Sequence, residues 1–313
     1  MKWILVTVCV STLLAGVRVG PEPSRGRPST ASADADGEPI TPIPPPPLAD
    51  PLKLALGERL FGDTRLSADG TFACSSCHDI RTNGADGGKR RNPEPGQLDT
   101  PTVFNAALSF RLTWEGRYRT LADQAEASIR SRANMRSTIE DAVQKLRADT
   151  AVNKQFRVAY GRDVDRDSLL DAISTFEKSL LTPDSRFDRW LAGDASALSP
   201  AELLGYKTFK AFGCSACHQG VNIGGNLIAR QGIFRPLVAG GPFRVRVPSL
   251  RNVAVTGPYF HDGSAATLEE AVRRMAAAQL DRTLNDEQVA SLVAFLGTLT
   301  GNFRGKPVRE RTP

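Results

Sequence analysis

The 313-residue chain is longer than one small domain needs, and two compact domains suit its length. Hydrophobic residues make up 41% and charged residues 24% of the chain, which is ordinary for a globular protein and excludes wholesale disorder. The formal net charge of +6 is mild. Because no run of lysine or arginine with interleaved aromatic residues accompanies it, a nucleic-acid partner is not expected.

The N-terminus has the order of a secretory signal: Lys2, an apolar run from Trp3 to about Val17, then a polar stretch. We predict a signal peptide over residues 1–20. An uncleaved membrane anchor is the alternative, although the run is shorter than the ~20 residues that a spanning helix needs. Residues 21–47 are rich in proline and are expected to form an extended, unpacked lead-in.

The folded part is expected to begin near Leu48 and to be all-α, with little β-structure. Two similar segments, 56–61 and 204–209, each predict a short helix. Helical periodicity is clear after Asp167 and in a run that opens near Asn285. Segments 79–101 and 219–250 are rich in Gly, Pro and Arg and are expected to be long loops. We place one domain at residues 48–182 and a second at 183–313.

Four of the five cysteines lie in two Cys-x-x-Cys-His motifs, Cys74 to His78 and Cys214 to His218; the fifth, Cys9, lies in the predicted signal. Such pairs can also form disulfides or zinc sites. A histidine directly after the second cysteine, Cys77 or Cys217, is typical of covalent c-type haem, in which two thioethers hold the porphyrin and the imidazole binds iron. The sequence therefore predicts two cytochrome-c-like domains with one haem each.

The second axial position of each iron decides between electron transfer and catalysis. His78 and His218 supply the first ligands, and His261 is the only other histidine. Apart from the initiator, the methionines are Met135 and Met275. A thioether ligand would make an electron-transfer haem, whereas core packing is the commoner role of a helical methionine.

Several further motifs stand in a particular order along residues 48–301. They are Leu56-Gly57 through Ser67, Pro101-Thr102-Val103-Phe104-Asn105, Trp114-Glu115-Gly116-Arg117, Val247-Pro248-Ser249-Leu250-Arg251-Asn252 and Pro258-Tyr259-Phe260-His261-Asp262-Gly263-Ser264. Together with the haem motifs, they make the chain similar to the bacterial di-haem cytochrome c peroxidase family, which includes the MauG-type enzymes.

The resemblance implies a division of labour between the two haems. His78 would hold the haem where peroxide reacts, and His218 the haem that collects electrons from a small donor. Met275 matches the family's axial methionine, where MauG-type enzymes have tyrosine. Trp114 matches a tryptophan between the haems that could relay electrons, with a core aromatic as the alternative, and Gln124 matches a distal-pocket glutamine.

The resemblance also implies a calcium ion between the domains. Thr256 and Pro258 match positions whose carbonyls bind it, and Asp99 replaces the usual asparagine with an equally suitable carboxylate. His261 is either a contact of a haem propionate or of this network, or a structural histidine. Of the arginines in the loop up to residue 251, only Arg251 is kept as a candidate partner for a haem propionate; the others, Arg230, Arg235, Arg244 and Arg246, are expected to be solvated.

Two departures from the family pattern bear on the reaction. Residues 79–100 contain no histidine, so nothing there matches the residue that caps the peroxidatic iron in many members, and we expect that iron to be open. Asn134 stands where the family has a distal glutamate that moves the proton. Glu115 and Glu126 are nearby in sequence, with no reason to assign either that task.

The resemblance thus implies a periplasmic peroxidase that reduces hydrogen peroxide with electrons from a small cytochrome c or a cupredoxin, and it leaves a homodimer open. Two other readings stay open. One is a MauG-like oxidase of a protein or small-molecule partner, which Asn134 favours and Met275 disfavours. The other is a non-catalytic electron carrier, which an open iron disfavours.

Overall fold

Ten α-helices account for most of the regular structure in the computed structural model, which describes residues 37–87, 98–238 and 244–311. The predicted signal peptide lies outside these ranges. The helices are α1 (Pro51–Phe61), α2 (Cys74–Cys77), α3 (Leu121–Arg130), α4 (Ile139–Ala148), α5 (Thr150–Tyr160), α6 (Arg166–Ser179), α7 (Arg186–Leu191), α8 (Pro200–Ala211), α9 (Leu268–Leu280) and α10 (Asp286–Gly297). None of these helices is long and apolar enough to cross a membrane.

The strands form two small antiparallel ribbons. β1 (Ile228–Arg230) pairs with β2 (Arg244–Arg246), and β3 (Asn302–Phe303) pairs with β4 (Lys306–Pro307). Short 3₁₀ turns connect other parts of the chain, at Thr64–Leu66, Ala106–Leu108, Ala195–Ala197, Cys214–Ala216 and Val253–Val255. The all-α prediction is confirmed. The short strands β1 and β2 lie within segment 219–250, which was predicted to be a long loop.

Polar caps set where the long helices begin. Asp165 caps α6 by accepting from Ser168 N, and Asn285 caps α10 by accepting from Gln288 N. Helix α10 therefore begins where its pattern predicted, while α6 begins one residue before Asp167. Ser199 and Glu202 form a capping box at α8, with Pro200 in the first turn.

Each half of the chain has its own core, built on one close helix crossing. In the first half α1 crosses α6 at Gly57, where an added Cβ would lie 2.0 Å from Ala172 O. In the second half α8 crosses α10 at Gly205, where an added Cβ would lie 1.9 Å from Ser291 O. The repeated Leu-Gly segments seen in the sequence are thus the two points where helix backbones meet.

Replacing Gly205 by alanine is expected to destabilise the protein by more than about 3 kcal/mol, because the methyl group would overlap a backbone carbonyl that cannot rotate away. Denaturant unfolding measures the change. Gly297→Ala, at the end of α10 with no atom within 4 Å of its added Cβ, is the matched control and should leave stability within about 1 kcal/mol of the parent. Equal effects of the two substitutions would contradict the crossing geometry.

The expectation of an unpacked lead-in is wrong for residues 38–43, which pack against the second half of the chain. Ile40 is 1% exposed and belongs to the same core as Phe187 and Tyr206. The carbonyl of Thr41 accepts from Arg251, and Glu38 pairs with Lys210 at 2.9 Å. The proline-rich composition predicted an unpacked segment, but Ile40 and Ile43 are buried against the second half of the chain.

Residues 303–308, near the end of the described chain, pack in turn against the first half. Val308 and Phe303 pack in a cluster with Phe61 and Phe104. Arg304 binds Glu58 of α1 through two hydrogen bonds of 2.8 and 2.7 Å. The domain limits proposed from sequence, 48–182 and 183–313, therefore leave out a crossing of the two ends, each of which packs on the other half.

Candidate active site

A cavity of about 740 Å³ lies between the two halves and is lined by both haem motifs. It brings together nearly all the residues singled out in the sequence. They are Cys74, Cys77, His78, Asp99, Trp114, Gln124, Asn134, Cys214, His218, Thr256, Pro258 and Met275. Three others do not line the cavity: Cys217 of the second motif, Arg251 and His261.

The first motif folds so that its imidazole has a defined hydrogen-bonding state. Cys74 to Cys77 form the single turn α2, and the next residue, His78, places Nδ1 3.0 Å from the carbonyl oxygen of Gly84. A carbonyl only accepts, so Nδ1 carries the proton and Nε2 keeps its lone pair. His78 is therefore prepared to bind a metal through Nε2.

The second motif repeats this arrangement. Cys214–Ala216 form a 3₁₀ turn, and His218 Nδ1 lies 3.2 Å from the carbonyl oxygen of Ile223. Burial lowers the pKa of His218 to about 4, because a charged imidazolium is poorly solvated there. The neutral ring that an iron ligand requires is thus the form present at neutral pH.

The cysteines fit thioethers better than thiolates. Burial raises the pKa of Cys74 to about 12 and that of Cys214 to about 11, and no disulfide joins the cysteines of the described residues. Zinc binding needs thiolates, and across residues 37–87, 98–238 and 244–311 no three His, Cys, Asp or Glu side chains are grouped to hold a metal ion. An uncharged thioether and an apolar macrocycle suit these walls, so the residues fit c-type haem.

Polar groups occupy one wall near the first motif. On α3, Gln124 faces the cavity together with Leu121 and Ser128, as residues three and four apart on a helix do. Asn134, beyond the end of α3, also lines the cavity, and its Nδ2 donates to Ser128 Oγ at 3.3 Å.

Glu115 and Glu126, the two glutamates considered from sequence, are both held in ion pairs with arginines. Glu126 does not line the cavity, because it forms ion pairs with Arg166 and, at 3.0 Å, with Arg130. Glu115 lines the cavity but is paired with Arg117.

The two methionines lie in different surroundings. Met275 faces the cavity from α9, and two other residues of this helix, Leu268 and Ala276, pack in a cluster with Cys214. Met135 also lines the cavity, but it is 5% exposed and belongs to the core of the first half. Met275 is therefore the thioether on the side of the second motif, while packing accounts for Met135.

Trp114 lines the cavity, and its indole is held in place. Trp114 Nε1 donates to the carbonyl oxygen of Asp99 at 2.7 Å, and the ring meets His261 edge-on at 6.2 Å. The carboxylate of Asp99 and the ring of Pro258 flank Gly263: an added Cβ there would lie 3.7 Å from Asp99 Oδ2 and 3.2 Å from Pro258 Cγ. His261 itself is 3% exposed and does not line the cavity.

The prediction that Arg251 is the candidate partner for a haem propionate was wrong. Arg251 does not line the cavity; it is fully buried and forms an ion pair of 2.7 Å with Asp188, while its other nitrogens donate to the carbonyls of Thr41 and Val221. Arg246, expected to be solvated, is 8% exposed and lines the cavity. Sequence could not identify Asp188 as the acid that pairs with Arg251.

Glu177 is a cavity residue that the sequence analysis missed. It is 6% exposed, lines the cavity from α6, and its Oε2 has no hydrogen-bond partner. Burial raises its pKa to about 8. A signal existed: Glu177 lies four residues after Ile173, on the apolar face of the predicted helix, where a carboxyl is out of place.

Two haem-attachment turns, two imidazoles in the same tautomer and one shared cavity define a c-type cytochrome with two covalently attached haems. Comparison with known proteins agrees with this class. A family model for di-haem cytochrome c peroxidase matches residues 51–196, and a model for cytochrome c matches residues 203–300. The chain belongs to the di-haem cytochrome c peroxidase family.

Named relatives extend over most of the chain. It is 38% identical to the cytochrome c551 peroxidase of Nitrosomonas europaea, covering 88% of this chain and 87% of that protein. It is also 38% identical to the cytochrome c peroxidase Ccp of Escherichia coli K12, covering 85% of this chain and 62% of the relative. A solved structure of a MauG-like protein associated with microbial copper homeostasis matches with a TM-score of 0.68 and 28% identity, over 83% of this chain and 93% of that one.

Proposed function

We propose that the protein reduces hydrogen peroxide to two molecules of water, using two protons and two electrons from a small cytochrome c or cupredoxin in the periplasm. The observation that carries this proposal is that different side chains line the two ends of one cavity. The amides of Gln124 and Asn134 line it on the side of the first motif, and the thioether of Met275 lines it on the side of the second. An exported protein fits the predicted signal peptide over residues 1–20.

The chain's own residues divide the work between the two ends of the cavity. Bound haem supplies the redox chemistry of peroxide reduction. His78 holds the first haem, and His218 with Met275 holds the second; methionine beside histidine raises the potential and suits a group that accepts electrons. Trp114, in the wall between the motifs, offers a route between them.

The first end is arranged to admit peroxide. Among the described residues, His78 and His218 are the histidines that line the cavity, so no third imidazole is in place to occupy the peroxide site. The amide of Gln124 can donate a hydrogen bond to bound peroxide. Asn134 can also donate but cannot take up a proton, so a general base worth 10²–10⁴-fold in rate is missing from this position.

The same proposal includes a calcium ion beside Trp114. Asp99, Thr256 and Pro258 all line the cavity, and the carboxylate of Asp99 and the ring of Pro258 both flank Gly263. A carboxylate and backbone carbonyls are the oxygen ligands that calcium prefers. The ion would hold the two halves together at Trp114. A homodimer is also part of the proposal and rests on the resemblance to the family alone.

A second candidate is a MauG-like oxidase that uses peroxide to oxidise a partner molecule. Asn134 favours it, because slow proton transfer would leave the oxidised enzyme time to react with something else. The chain is 30% identical to the methylamine utilization protein MauG of Methylorubrum extorquens. Met275 argues against it.

Steady-state peroxide consumption by the holoprotein, with a reduced small cytochrome c as donor, tests the proposal. We expect turnover in wild type and loss of turnover in Met275→Leu, whose second haem lacks its thioether. The oxidised wild-type spectrum should show one high-spin haem that peroxide perturbs. Perturbation without turnover would support the oxidase. A spectrum of two low-spin haems that peroxide leaves unchanged would support a simple carrier and overturn the proposal.

A further inference from the structure

Arg246 is a buried cation without an anion. It is 8% exposed, and the one hydrogen bond of its side chain runs from Nε to the carbonyl oxygen of Thr113, at 3.0 Å. Within the described ranges no carboxylate forms an ion pair with it, and its two terminal nitrogens donate to no protein acceptor. The other fully buried arginine, Arg251, has Asp188 as its partner. Since an uncompensated buried charge is costly, the cavity must supply the anion for Arg246.

The position of Arg246 identifies that anion. It is the last residue of β2, and two residues later Pro248 lines the cavity, with its backbone close enough to act on the His218 imidazole. On its other side, the backbone N–H of Arg246 donates to the carbonyl oxygen of Trp114 at 2.7 Å. Arg246 therefore lines the cavity between its backbone contact with Trp114 and the segment that reaches the second haem motif.

Two further arginines line the cavity, and neither is in the same situation. Arg311 donates to the carbonyl oxygen of Asp86 at 3.2 Å, in the loop that follows the first motif. Arg136 is exposed and donates from Nε to the carbonyl oxygen of Arg132. Only Arg246, of these three, is both buried and placed beside the second motif.

We propose that Arg246 binds a propionate of the haem attached at Cys214 and Cys217, and so links that haem to the backbone of Trp114. Arginine presents paired N–H donors in a planar fork that matches a carboxylate, and a charge-assisted pair of this kind is strong and directional. Arg246 is thus a positioning residue for the proposed route between the haems. The inference rests on the second covalent haem and not on the reaction that the first one performs.

Replacing Arg246 by glutamine should lower the midpoint potential of the second haem. The propionate charge would lose its counter-ion, and a negative charge near iron stabilises the oxidised form more than the reduced form. Spectroelectrochemical titration of the holoprotein, in which the two haems are resolved by their ligation, measures each potential. We expect a downward shift at the Met275 haem and a smaller one at the His78 haem.

Two further variants separate charge from packing. Arg244→Gln removes an exposed arginine from the same strand and should leave both potentials unchanged. Arg246→Lys keeps the positive charge but loses the fork, and its potential should lie near that of wild type. Unchanged potentials in Arg246→Gln would overturn the proposal. If Arg246→Gln fails to load haem, the lysine variant decides: loading with a near-normal potential supports the proposal, and an equal failure shows a packing role instead.

Discussion

Replacing Asn134 by glutamate is expected to raise the rate of peroxide reduction by about 10²-fold or more, since a positioned general acid or base contributes 10²–10⁴-fold. Asn134 shares the cavity wall with Gln124, and the proposal rests on its matching, by the family resemblance, the position of a distal glutamate. Its amide can orient peroxide, but it cannot carry a proton between the two oxygens. The carboxylate would restore that function in the first half of the site.

Steady-state kinetics of Asn134→Glu and Asn134→Gln test this expectation. Glutamine has the length of glutamate without its proton chemistry, so it should stay at the wild-type rate. The glutamate variant should also acquire an acidic limb in its pH profile, which the glutamine variant lacks. Equal rates in the two variants, with peroxide binding intact in both, would show that residue 134 does not limit the reaction.

Replacing Glu177 by glutamine is expected to stabilise the protein at pH 8 by about 4 kcal/mol, at 1.36 kcal/mol per pKa unit. Burial raises the pKa of this carboxyl from 4.5 to about 8. The unfolded chain therefore releases the proton above pH 4.5, while the folded protein retains it until about pH 8. Over this window the wild type loses stability as pH rises, and below pH 4.5 the penalty is absent.

Denaturant unfolding of the holoprotein at several pH values measures the effect. The difference between Glu177→Gln and wild type should be small at pH 4.5 and should grow towards pH 8. Glu287→Gln, which changes an exposed glutamate of α10, is the matched control and should show no such growth. A constant difference across the range would mean that Glu177 is not protonated in the folded protein.

The parts of the site that sequence predicted correctly are those fixed by local chemistry. Cys74 to His78 and Cys214 to His218 are contiguous motifs, so their turns and imidazole orientations follow from a few neighbouring residues. The cavity location of Trp114, Gln124 and Met275 was expected from the order of motifs along the chain. Their catalytic roles remain proposals.

The parts that sequence analysis missed depend on contacts between distant residues. Arg246 and Arg251 lie five positions apart in one arginine-rich segment, and nothing local distinguishes them. Of these two arginines, Arg251 pairs with Asp188 of α7, which leaves Arg246 to the cavity. In the same way, the burial of Ile40 depends on Phe187 and Tyr206, well over a hundred residues away.

The crossing of the chain ends has a consequence for the order in which the protein can be built. Val308 and Phe303 pack in a cluster with Phe61 and Phe104 of the first half, and they are synthesised after every haem ligand. That half therefore cannot complete its packing until residues 303–308 have emerged. A fragment cut between α6 and α7 would keep the first haem motif but carry residues 38–43 without their partners in the second half. Two such fragments should recover their structure only together.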